Sequence, residues 1–120
     1  LFGFRLFGCD GSASNICRDP LDEETFLHDG IKGYNALHIN ALYDLLNHTY
    51  HDVIIQGAKK TDERSPFNSM IDRYKGLPAI FIADRGYESF NTFAHVIHAE
   101  QKFHYLNMYV QTALYLFLLR

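Results

Sequence analysis

The chain has 120 residues, 48% hydrophobic and 21% charged, enough apolar material for one packed domain and too much for a disordered tail. Eleven basic and 14 acidic side chains give a formal charge of −3, which excludes a histone-like polyelectrolyte but leaves room for a local basic groove. The charge is uneven, with net −4 over residues 1–30 and net +1 over residues 31–120.

Residues 2–9 read as a strand that is apolar on both faces and ends at Asp10-Gly11-Ser12. Residues 13–33 hold Pro20, Gly30, Gly33 and five acidic side chains, and read as a long exposed loop. Leu37, Ile39, Ala41, Tyr43 and Leu45 alternate with period two, predicting a strand over residues 34–46. Asn47-His48-Thr49 supplies a turn, and residues 50–56 supply an antiparallel partner. After Gly57, Ser65 is expected to cap a helix that starts with Pro66 and carries Phe67, Met70, Ile71 and Tyr74 on one face. Gly76 and Pro78 end it. Ala79-Ile80-Phe81-Ile82-Ala83 then reads as a buried strand stopping at Asp84-Arg85-Gly86-Tyr87. Ser89 is expected to cap a second helix with Phe90, Phe93, Ala94 and Ile97 as its apolar face, and residues 103–106 to form a last short strand.

Three strands followed by helix-strand-helix-strand predict an α/β fold, a mixed sheet that begins antiparallel and finishes parallel. That is the element order of a ribonuclease H-like fold. Two cysteines, Cys9 and Cys17, are too few for a disulfide scaffold, and no leader peptide is visible. Residues 105–119 are apolar but interrupted by Asn107, Gln111 and Thr112, and fall short of the roughly 20 residues a membrane span needs, so no membrane partner is expected. The chain opens without Met and closes on an apolar run, so a fragment of a longer protein is expected.

Asp10 and Asp84 each leave an apolar strand, and a carboxylate there is costly unless solvated, paired or metal-bound. If the two strands are sheet neighbours, about 4.8 Å apart, their acids can share one divalent ion. Local pattern alone equally allows two acids that cap turns, since Asp-Gly is a common turn dipeptide. Lys59, Lys60 and Arg64 form the densest basic cluster, and Arg85 stands beside the second acid; all four can meet DNA phosphates or lie in solvated loops. Tyr87 can stack on an unpaired base or pack at a turn. Glu88 reads as a helix-start acid, His95 and His98 lack further ligands for zinc, and no glycine-rich phosphate loop is present.

Cys9-Asp10-Gly11-Ser12, the block from Gly33-Tyr34-Asn35-Ala36-Leu37-His38-Ile39-Asn40 to Ala41-Leu42-Tyr43-Asp44-Leu45, and Ile80-Phe81-Ile82-Ala83-Asp84-Arg85-Gly86-Tyr87-Glu88-Ser89 together resemble the catalytic core of bacterial insertion-sequence DDE transposases. The resemblance covers roughly residues 5–106 and is closest to the subgroup with an "ADRGYES"-type second motif. It implies a ribonuclease H-like fold in which Asp10 and Asp84 are catalytic and bind Mg²⁺ (or Mn²⁺), the first two of three carboxylates. The third, a Glu within a Tyr–Arg–Glu–Lys-type signature, is not found. The expected division is therefore a partial catalytic domain over residues 1–106 and a divergent apolar tail over residues 107–120.

The resemblance further implies cleavage and strand transfer at transposon ends, with double-stranded DNA as partner, a homodimer in a DNA synapse, and a bacterial, cytoplasmic, nucleoid-associated setting. The alternative is an inactive remnant that binds DNA or a full-length transposase without cutting. An unrelated α/β domain whose acids only cap turns is the third reading.

Overall fold

The computed structural model describes residues 3–106, the last five of them by backbone alone; the expected tail over residues 107–120 and the first two residues of the chain lie outside the described residues. Strands β1 (Arg5–Ile16), β2 (Phe26–Leu27), β3 (Tyr34–Asp44), β4 (Thr49–Gly57), β5 (Ala79–Asp84) and β6 (Lys102–Leu106) form one sheet. Its order is β2-β3-β1-β5-β6, with β4 also paired to β3. β1 is antiparallel to β3, β3 is antiparallel to β4, and β5 runs parallel to both β1 and β6. Helices α1 (Arg64–Arg73) and α2 (Phe90–His98) make the connections into β5 and β6 and pack against each other. The result is an α/β fold with a mixed sheet, compatible with a ribonuclease H-like arrangement.

One sheet face carries the core. Phe7 and Cys9 of β1, Leu42 of β3, and Phe81 and Ala83 of β5 meet Phe67, Met70, Ile71, Tyr74, Tyr87 and Val96 from the helical side. Phe7 and Phe81 are register partners whose rings stack 5.7 Å apart, and Tyr74 meets both edge-on. No described helix is long and apolar enough to cross a membrane.

Three expectations about the chain before β5 need correction. The first strand does not stop at Asp10 but continues to Ile16, paired with β3 as far as Asn35. Residues 12–16 are exposed, so the strand rests on its backbone ladder there and lacks the apolar pattern that marks a buried one. The presumed loop therefore shrinks, and Phe26–Leu27 adds a further short strand. The first helix begins at Arg64, and Ser65 does not cap it. The Asp62 carboxylate instead accepts from the Arg64 and Ser65 amides at 3.1 and 3.4 Å.

The second helix begins as expected, with Ser89 Oγ accepting from the Thr92 amide at 3.0 Å. Its buried stripe, however, is Thr92 and Val96, whereas Phe90 is 95% exposed and Ile97 75% exposed. The Ser89 and Thr92 hydroxyls lie 2.9 Å apart, which pairs Thr92 and lets it occupy a buried site that the apolar periodicity assigned elsewhere.

At the far end of β3, Asp44 is buried beneath Arg5, which donates to its Oδ2 at 2.5 Å. Burial works to raise its pKa, but donation from the Asn47 side chain, the Asn47 and Leu46 amides and Arg5 outweighs it and holds the carboxyl down at about 2. A depressed folded-state pKa means this stability is present at neutral pH and disappears as pH falls from the ordinary carboxylate range to about 2. Asp44→Asn is therefore expected to lower the unfolding free energy at pH 7 by roughly 1–3 kcal/mol, read as a lower urea midpoint, with the gap to the parent closing on acidification. Urea titrations across that pH range check it. The same assay on Phe67→Ala should show a loss of roughly 3–5 kcal/mol, against less than about 0.5 for Phe90→Ser.

Candidate functional site

The register of β1 and β5 sets the geometry. Gly8 pairs with Ile82 and Cys9 with Ala83, so one further step puts Asp10 beside Asp84. Cys9 and Ala83 point into the core, so the alternation of a strand turns Asp10 and Asp84 together to the opposite face, which carries no helix among the described residues. Pairing of β1 with β5 ends here while its pairing with β3 continues, so the two acids stand at a notch in the sheet.

Both carboxylates are exposed, and neither forms an ion pair among the described residues. Each has Oδ1 occupied by the next backbone amide, Gly11 for Asp10 at 2.9 Å and Arg85 for Asp84. One oxygen of each is thereby oriented, and Oδ2 is left for another partner. Asp10 borders an open groove of about 580 Å³ on this same face, lined also by Gly8, Ala41, Tyr43 and Tyr50. The donor set fits Mg²⁺, which takes one or two carboxylates and completes its shell with water and phosphate oxygens. Among the described residues no group of three or more His, Cys, Asp or Glu is positioned to hold a metal, so the third ligand that the resemblance implies has no counterpart there.

The basic residues divide into two groups. Arg64 opens α1 and donates from Nε to the Gly86 carbonyl at 2.9 Å, and Arg85 follows Asp84 directly and is exposed. Arg85 thus adjoins the second acid in the chain, and Arg64 is tied to the turn that follows it. Lys59 and Lys60 lie in a 3₁₀ turn after β4 and face Glu23 and Glu24. Tyr87 is a correction: it is 2% exposed, its ring packs edge-on against Phe67 at 5.3 Å, and it has no face to offer a base. Burial foremost, then the neighbouring Cys9, Glu63 and Asp10, raises the pKa of its hydroxyl well above the usual phenol range.

Behind the acids the structure adds residues that the sequence reading passed over. His38 Nε2 and Glu63 Oε1 approach to 3.4 Å beside Gly11, where a Cβ would collide with both. A side chain at position 11 would push this pair away from the backbone that orients Asp10. The only sequence signal was that His38 falls on the same face of its strand as Leu42.

Residues 6–109 match the family model described as Transposase DDE domain. No individual curated protein matches the chain.

Cys9 underlies this site, and burial, opposed by the Tyr87 hydroxyl and reinforced by the charges of Asp10 and Glu63, pushes its thiol up to about 12. Cys17 is exposed. A thiol reagent at pH 8 should therefore modify Cys17 in the folded protein and reach Cys9 only on denaturation, as mass spectrometry of the two peptides would show. Rapid labelling of native Cys9 would contradict the packing described.

Proposed function

Because the chain belongs to the transposase DDE domain family, we propose that it carries the first part of a metal-dependent DNA-transposing site, with Asp10 and Asp84 as catalytic carboxylates on a ribonuclease H-like core. The observation that supports this most directly is the parallel pairing of β1 and β5, which brings the two acids side by side on one face. Mg²⁺ (or Mn²⁺), when bound between them, supplies activation of a water or 3′-hydroxyl and neutralises charge on the phosphoryl group.

The chain's own residues do the positioning. The Gly11 and Arg85 amides fix one oxygen of each carboxylate and leave the other without a hydrogen bond from the described residues. Arg85 and Arg64 set positive charge on the Asp84 side, where a phosphodiester backbone approaching the two acids would otherwise meet only negative charge. Lys59 and Lys60 add two exposed ammonium groups in the turn after β4. Tyr87 takes no part in contacting DNA and serves as the packed support beneath Cys9 and Asp10. Double-stranded transposon-end DNA is the proposed ligand, with a homodimer in the synapse and a cytoplasmic, nucleoid-associated setting; the "ADRGYES"-type subgroup is the proposed branch.

A second reading has its own support. With only two acids together among the described residues, the chain by itself is a binder of DNA, or of a full-length transposase, that does not cut. The two readings separate in one pair of experiments. Mn²⁺ titration, followed by paramagnetic broadening of the Asp10 and Asp84 signals, is expected to saturate in the millimolar range and to be abolished by Asp10→Ala. No broadening at millimolar metal would overturn the metal role. Nicking of transposon-end DNA is expected only when a segment carrying a further Glu is supplied; the second reading predicts no nicking in either case.

A further inference from the structure

The most acidic stretch of the chain is not free of the basic cluster. It is built against it. The loop between β1 and β2 is held by a network of buried and local contacts. Asn35, 1% exposed, accepts from the Asp19 amide at 2.7 Å and donates to the Asp19 carbonyl and Thr25 Oγ1, both at 2.8 Å. Asp22 accepts from Thr25 Oγ1 at 2.6 Å and from the Glu24 amide at 3.2 Å. Phe26 is buried, with the Arg18 guanidinium 5.8 Å over its ring. These contacts seat the Glu24 carbonyl on the far side of the chain, where it accepts from the Lys59 amide at 3.3 Å. Gly57 makes this approach possible, because a Cβ there would collide with the Glu24 carbonyl.

Glu23, Glu24, Gly57, Lys59 and Lys60 consequently line one cleft of about 460 Å³. All four charged side chains are exposed, and none of the salt bridges among the described residues joins them. Two acidic and two basic residues thus share one cleft without being consumed in ion pairs. In that position the acids screen the lysines from a phosphate, yet a polyanion that docks well can still recruit those lysines.

We propose that Glu23 and Glu24 are specificity residues: fixed opposite Lys59 and Lys60, they offset the cluster's attraction for polyanions, so that charge alone does not hold DNA on this surface. The proposal rests on the DNA reading above for its ligand, but the screening itself is a property of the cleft. It also accounts for the uneven charge of the chain, in which the acidic N-terminal quarter folds onto bases from the middle. Asp19 and Asp22, which hold the loop, are distinct from Glu23 and Glu24, which line the cleft.

The test is binding of the full chain to a random-sequence duplex and, separately, to inorganic polyphosphate. The Glu23→Gln/Glu24→Gln variant is compared with the parent at several salt concentrations. The variant is expected to bind both polyanions about three- to twenty-fold tighter at low salt. Its log affinity is expected to fall more steeply with log salt, by about 1–2 in slope. Adding Lys59→Gln and Lys60→Gln should remove the gain. A gain with polyphosphate but not with DNA would uphold the screening and reject the DNA reading. An unchanged affinity for both polyanions, an absence of binding by either protein, or a gain that survives loss of the two lysines would overturn the proposal.

Discussion

The parallel pairing of β1 with β5 is the constraint on which the rest depends. It aligns Phe7 with Phe81 and Cys9 with Ala83 on the core side, so packing of the helices fixes the register. A slip of one residue would turn Phe7 and Cys9 out of the core and Asp10 into it. The same hydrophobic contacts that stabilise the domain therefore hold two carboxylates together on the other face. Like charges side by side are unfavourable, and here they are tolerated because both remain solvated and each has one oxygen engaged by a backbone amide. The site is a cost carried by the core.

Much of this was legible in the residues. The apolar run at Ala79–Ala83 and the strand before Asp10 marked the two central strands, and Ser89 marked the start of α2 correctly. The acids stood out because each followed such a run. The extension of β1 past Asp10 was not legible, because Ser12, Ala13, Ser14 and Asn15 are held by the β3 ladder rather than by burial. Nor was the buried face of α2: Thr92 is polar in sequence, and only its pairing with Ser89 makes it a core residue. Tyr87 was ambiguous for a similar reason. An aromatic side chain after a catalytic-type acid can face DNA or the core, and the ring of Phe67 decides it.

The charge distribution also gains a physical meaning that composition could not give. The basic residues separate into Arg64 and Arg85 near the second acid, and Lys59 and Lys60 facing a rigidly held acidic loop. Tethering is what distinguishes that loop from a solvated acidic run. Asn35 ties it to β3 and Phe26 buries its end, so the backbone that carries Glu23 and Glu24 stays in place. Fixed charges can discriminate between ligands, since their effect depends on geometry; mobile ones mostly screen like salt.

The central claim is that Asp10 and Asp84 act on one metal ion as a pair. A double-mutant cycle on Mn²⁺ affinity, comparing the parent with Asp10→Asn, Asp84→Asn and the double variant, tests this most directly. The account predicts strong coupling: either single substitution removes most of the binding, and the second removes little more. Additive losses, or a single substitution that leaves affinity intact, would contradict it.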